Sequence, residues 1–289
     1  MNGILQKNKM VSNYKNNSRH KEFIRKKWVE FIKEISKLEE KECSIITLPS
    51  DEMQDLRLFK EEGIIDWEEN ETESCTITKG KVICFERLTS IHNKLAKKLV
   101  NATTHPYEIG RFFQEKYNKL INGETTFFPV DVINLDLDGN LSKNDTSIER
   151  ILDLLFQFQK NYNKFSLFLT FPETEAEDEL EFKDKLKSIL NSNLSDEHNN
   201  EFIQMFKEKF PSTDEIQYYE FVTISLVKLI IKKATHFNYK LSKQEFYYYG
   251  ENGRRKMISI LINFEYNPNS TPGLYYSEVI KSLEKVNEL

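Results

Sequence analysis

VDVINLDLDG, Val130 to Gly139, decides how the rest of the chain is read. Its first half is a short β-branched run of the kind that lies buried in a sheet. Its second half carries acids and ends in Asp-Gly, a turn signal. Strand alternation places Asn134, Asp136 and Asp138 on one side. Three polar side chains on one face of a buried strand are costly unless they are paired or line a cleft, so Asp136 is a candidate for a functional crevice.

Working outward, the same strand-then-helix pattern recurs. CSIITLP (Cys43–Pro49) and KVICFE (Lys81–Glu86) read as buried strands, a weak strand is expected near His105 to Ile109, and FSLFLTF (Phe165–Phe171) suits the middle of a sheet. Helical spacing follows each. A helix with Ser50 or Asp51 as N-cap carries Met53, Leu56 and Phe59 and stops at Gly63. Others span Ser90–Asn101, the region of Phe112 to Leu120, and Ile148–Tyr162. Ile64 to Gly80, rich in acids, reads as a surface insertion. Near the end, KQEFYYYGENGRRKMISILINFEY holds an Asn-Gly turn between two strands, a hairpin signal. Five strand–helix units closed by a hairpin predict an α/β protein: a doubly wound, mostly parallel sheet with a C-terminal antiparallel β-hairpin and an N-terminal helix. The expected organisation is a basic tail over 1–17, a helix over 18–42 with Ser18 as N-cap, the α/β domain over 43–266 with a helical insertion at about 174–236, and an extension over 267–289.

Composition narrows the function classes. The chain has 289 residues, 39% hydrophobic and 30% charged, with a net charge of −5. That suits a folded protein with a solvated surface and argues against one that coats nucleic acid with its whole surface. Cys43, Cys75 and Cys84 form no CxxC pair, which points away from a disulfide framework or a four-cysteine zinc site. The N-terminus lacks the apolar core of a secretory signal, and Val222–Ile231 is too short and too charged, at Lys228, to span a bilayer. A cytoplasmic protein without a membrane partner is expected.

Five βα units followed by a hairpin resemble the class I, S-adenosylmethionine-dependent methyltransferase superfamily, over roughly Cys43 to Tyr266. The resemblance implies S-adenosylmethionine as cofactor, bound across the carboxyl ends of the first strands. It places Glu86, at the end of VICFE, on the ribose hydroxyls. Thr47, Pro49 and Asp51 approach the cofactor's amino-acid end, and Asn134 and Asp136, the candidate catalytic pair, line the transfer point, with Asp136 also against the cofactor. The family's first loop is glycine-rich; TLPSDEMQDL (Thr47–Leu56) has no glycine, and no Asn-Pro-Pro motif is present. A methyltransferase acting on nucleic acid or protein therefore stands beside a noncatalytic interaction protein that keeps the fold. A further alternative is a metal-dependent nucleic-acid enzyme, with oxygen ligands from Asp136, Asp138 and Glu86 suited to magnesium or manganese.

Each candidate has an ordinary reading too. Glu86 also suits a salt bridge with Arg87, Thr170 is a common strand residue, and His92 and His105 are more often packed than catalytic. The basic segment Lys15, Arg19, Lys21, Arg25, Lys26 and Lys27 suits phosphate contact or a solvated helix face. Tyr247–Tyr249 suit base stacking or packing against a helix. A protein partner is also open.

Overall fold

The computed structural model describes residues 19–35, 42–71, 73–124, 127–137, 148–159, 162–173, 184, 187–188, 190–191, 200–209, 216, 218–250, 256–268 and 286–288. Ser18, Lys15, Asp138, Gly139, Arg254 and Arg255 lie outside them, as do the sequence expectations that fall there.

The chain runs α1 (Arg19–Ile35), β1 (Ser44–Thr47), α2 (Gln54–Glu61), β2 (Asp66–Glu69), β3 (Cys75–Lys79), β4 (Lys81–Phe85), α3 (Thr89–Lys98), β5 (Leu99–Val100), β6 (Thr103–His105) and α4 (Ile109–Ile121). It continues with β7 (Val132–Asp136), α5 (Ile148–Gln159), β8 (Lys164–Pro172), α6 (Asn200–Lys209), α7 (Tyr218–His236), β9 (Tyr239–Tyr249), β10 (Met257–Tyr266) and β11 (Val286–Glu288). The main sheet has the order β11-β9-β10-β8-β7-β1-β4-β6. Its pairs are parallel except those that β10 makes with β8 and β9, so β10 alone runs against the rest. This is a Rossmann-like α/β fold closed by an antiparallel hairpin. Chain order steps outward from β1 through β4 to β6, then returns to β7 on the other side. The topological switch point therefore lies between β1 and β7, where open α/β sheets place their ligand crevice.

Side-chain alternation divides the core in two. Ile46, Ile83, Phe85, Ile133, Leu135, Phe165, Leu167 and Leu169 face one side, with α4, α5, α6 and α7 packed over them. Ile45, Val82, Val132, Phe168 and Leu261 face the other, covered by α1, α2 and α3. Helix α1 is an integral part of this second layer: Trp28 stacks on Phe168 with ring centres 5.9 Å apart, and Phe31 meets the same ring edge-on. At the opposite end of the switch point, Ser44 donates from its backbone N–H and its hydroxyl to Asp131, and Tyr162 donates to the other carboxylate oxygen at 2.6 Å. The fully buried Gln159 clamps Val130 by both its N–H and its C=O, fixing where β7 begins.

Several sequence expectations need correction. Ile64–Gly80 is no loose surface insertion: β2 and β3 form a hairpin, joined by β5 into a separate three-stranded sheet. Trp67, Cys75 and Ile77 are buried beneath it, a period-two apolar signal masked by the intervening acids. Gly80, at φ +85°, links this hairpin to β4 where a Cβ would come within 2.9 Å of the Cys43 carbonyl, so only glycine fits. The third strand of the parallel set is Thr103–His105, two residues earlier than expected, and Ile109 already starts α4. Helix α2 begins at Gln54 rather than after Ser50 or Asp51, because the Met53 N–H closes a turn onto the Ser50 carbonyl first. The first hairpin strand begins at Tyr239, ahead of the Lys243 that opens the stretch read from the sequence, and β11 adds a parallel edge strand to β9. Among the described residues, no helix is long and apolar enough to cross a membrane.

Candidate functional site

Sheet register sets the site. Thr47, the last residue of β1, lies beside Asn134 of β7, and Asp136 lies beside Thr170 of β8. All four alternate onto the α1 side. Thr47 and Asn134 are fully buried, and Thr170 is nearly so, bonded through its hydroxyl to Ser259 at 2.8 Å. The Asn134 amide donates weakly, at 3.4 Å, to the Thr47 hydroxyl and to Asp55. Its carbonyl oxygen Oδ1 is buried without a hydrogen-bond partner. Buried acceptors are nearly always satisfied in native proteins, so an unsatisfied one at a switch point marks a place for a donor.

Asp55, which no sequence motif singles out, completes the cluster with Arg25, Lys21 and Tyr249, residues that the sequence offers only for phosphate contact or stacking. Asp55, in the first turn of α2, is almost fully buried and takes Nε of Arg25 at 2.6 Å. Burial raises its pKa, the Arg25 charge opposes that, and Asp136 reinforces it. Lys21 donates to Asp136 at 3.1 Å. Tyr249 of β9 lies close enough that burial first, and the Asp136 charge second, raise its pKa. A signal existed for these residues. Lys21, Arg25, Trp28 and Ile32 follow one another at steps of four, three and four, so the two cations extend the buried stripe of α1. Asp55 stands four before the buried Phe59 on the same face of α2.

Elsewhere the predicted residues separate. Pro49 is buried in the loop after β1, whereas Asp51 is exposed and pairs with Lys94 of α3 at 3.6 Å. Glu86 directly follows β4; its backbone N–H bonds the His105 carbonyl, and its carboxylate accepts the Leu88 N–H at 2.6 Å, closing the turn into α3. Arg87 pairs with Glu108 instead. β1 lies between β4 and β7, which sets the backbones carrying Glu86 and Asp136 about 10 Å apart. Among the described residues, no three His, Cys, Asp or Glu side chains gather closely enough to hold a metal ion. The glycine-free loop contains a glycine-like residue all the same: Met53 has φ +51°, ψ +36°, with its side chain fully buried.

The cations of α1 face acids of this chain: besides Lys21 and Arg25, Lys26 pairs with Glu22 and Lys27 with Glu30. Tyr248 stacks on Tyr219 of α7 at 3.9 Å, so this tyrosine packs on a helix.

No protein family matches the sequence, and no characterised protein is similar to it in sequence. Several solved structures overlay loosely. M. jannaschii TYW2 in complex with AdoMet aligns at 12% identity over 89% of this chain and 80% of its own, with a TM-score of 0.43. The plantazolicin methyltransferase BpumL, in complex with SAH, aligns at 13% over 91% of this chain and 92% of its own, with a TM-score of 0.38. A putative hemolysin from Streptococcus thermophilus reaches the same TM-score at 11% identity, over 84% of this chain and 67% of its own. Overlays this loose decide nothing about chemistry; the sheet order and the side chains at the switch point do more.

Proposed function

We propose that this chain binds S-adenosylmethionine across the carboxyl ends of β4, β1 and β7 and transfers its methyl group to a nucleic-acid or protein acceptor. The observation that carries this is the buried, unpartnered Asn134 carbonyl oxygen beside Thr47 and Asp136, at the switch point of a Rossmann-like sheet. Glu86, at the end of the neighbouring strand, is placed to accept the two ribose hydroxyls, a task for which a carboxylate has enough acceptor sites. Thr47 and Pro49 border the amino-acid end. S-adenosylmethionine held there would supply an activated methyl group next to Asn134 and Asp136. Asn134 Oδ1 orients a donor group of the acceptor, and the Asp136 carboxylate stabilises the positive charge that develops there.

A noncatalytic protein that keeps the fold is the competing proposal. It is favoured by Arg25 and Lys21, whose charges already occupy the two carboxylates, and by the Met53 side chain in a loop where the resemblance calls for glycine. The basic N-terminal segment is what supports a nucleic-acid acceptor; the internal pairing of Lys21, Arg25, Lys26 and Lys27 leaves it less charge to offer phosphates.

Titration calorimetry separates the two. The enzyme proposal expects one S-adenosylmethionine site and at least a tenfold loss of affinity in Glu86→Ala, about 1.4 kcal/mol. No heat at millimolar cofactor would leave the noncatalytic proposal standing, and binding untouched by Glu86→Ala would remove Glu86 from the site.

A further inference from the structure

The two ion pairs at the switch point are unequal. Arg25 and Asp55 are 12% and 9% exposed, with a bond of 2.6 Å, and sit beneath the helix. Breaking such a pair would strand a buried charge, at several kcal/mol. Lys21 and Asp136 are 31% and 17% exposed and 3.1 Å apart. Their residues lie at the outer rim, one turn before Arg25 on α1 and at the last position of β7. The helix beyond them is pinned by Ile24, Trp28, Val29, Phe31 and Ile32, all nearly or fully buried. Lys21 can therefore leave Asp136 by rotating its own side chain toward solvent, with α1 staying in place.

We infer that Lys21 is a built-in competitor at this site: its ammonium holds the carboxylate that a ligand's cation takes when bound, and it swings out to admit that ligand. The acceptors of the cluster are the partly exposed Asp136 and the buried Asp55 and Asn134 Oδ1, and the two side chains that reach the carboxylates from α1 are cations. A crevice that its own chain fills with positive charge is complementary to a positively charged guest. This rests on the proposal that the guest is S-adenosylmethionine, and it adds which end meets Asp136. The cation displacing Lys21 is the sulfonium, because Asp136 ends β7 at the proposed transfer point, one strand over from the loop after β1 that borders the amino-acid end.

The test is calorimetry of the full chain with two probes, S-adenosylmethionine and S-adenosylhomocysteine, which lacks the sulfonium charge. Lys21→Gln and Lys21→Ala are expected to bind S-adenosylmethionine about two- to fivefold more tightly than the unmodified protein, the range of a partly exposed ion pair. Lys21→Arg is expected to bind like the unmodified protein, and the gain with S-adenosylhomocysteine to be clearly smaller. Unchanged melting temperatures check that the variants fold, as a half-exposed position allows. Equal affinities in all four proteins would overturn the competitor and leave the cofactor proposal intact. Equal gains for both probes would overturn the assignment to the sulfonium. No binding of either probe to any variant would overturn the cofactor proposal and this inference together.

Discussion

His105 ends β6 with its ring 4.8 Å from Phe85 and 4.6 Å from Phe112, and its Nε2 is buried without a partner. Burial, with smaller contributions from His92 and Lys116, pushes its pKa down to about 4 from the ordinary 6.5. The imidazole is therefore neutral at pH 7 and is held for its shape rather than its proton. The unfolded chain binds a proton in the window between 6.5 and about 4 that the folded chain refuses, so this contribution to stability is lost as pH falls through that window. His105→Phe removes the titration and keeps an aromatic ring among Phe85, Phe112 and Phe127. Its melting temperature is expected to exceed that of the unmodified protein by a margin that grows from pH 7 to pH 4; a constant margin would show that His105 does not titrate there. The residue scale also divides what the sequence made legible. Asn134, Asp136 and Thr47 could be found because strand alternation dictates their direction once a strand is recognised. Asp55 carries no sequence signal of a site, and Lys21 and Arg25 read as phosphate contacts or a solvated helix face rather than as partners of buried acids. Their positions on the apolar stripes pointed inward, and it is opposite charge, brought together by the fold, that makes such burial tolerable.

At the scale of elements, the entry into α2 shows how the chain manages without the expected glycine. Met53 adopts the left-handed conformation, which costs a non-glycine residue about 1–2 kcal/mol. Its side chain, fully buried with Leu56 and Phe59 in the layer under α1, returns more than that. Deleting a buried methionine side chain costs about 2–5 kcal/mol. Met53→Gly, though it restores the residue type of the resemblance and relaxes the backbone, is therefore expected to lower stability by about 1–3 kcal/mol in urea denaturation. A stabilised Met53→Gly protein would mean that backbone strain dominates at this loop. Most strands of the main sheet were legible because they are apolar, β-branched or aromatic runs, each followed by helical spacing or a turn signal. The small sheet was not: within Asp66–Gly80 the five acids outnumber the apolar Trp67, Cys75 and Ile77 and mask their alternation, and β5 has only two residues.

Over the whole molecule, order rather than composition locates the crevice. Strands stepping one way from β1 and then the other put the switch point between β1 and β7 at their carboxyl ends, with a core layer packed on each face of the sheet. The hairpin and β11 extend the sheet beyond β8, and Tyr249 at the end of β9 comes back toward Asp136. Glu86 belongs to the same rim only because β4 neighbours β1, a relation that no local pattern contains. Away from the switch point, a depression of 390 Å³ lies between α2 and the small sheet, lined by Arg57, Lys60, Trp67 and Lys79. Its cations are engaged by Glu69, Asp66 and the Gly63 carbonyl, so it offers a ligand little unspent charge. Amide hydrogen exchange with and without S-adenosylmethionine distinguishes the two places directly. The account predicts that cofactor slows exchange in the segments after β1, β4 and β7, around Leu48–Met53, Glu86–Leu88 and Leu135–Leu137, and leaves Lys60–Trp67 unchanged. Protection confined to Lys60–Trp67, or no protection anywhere at saturating cofactor, would contradict it.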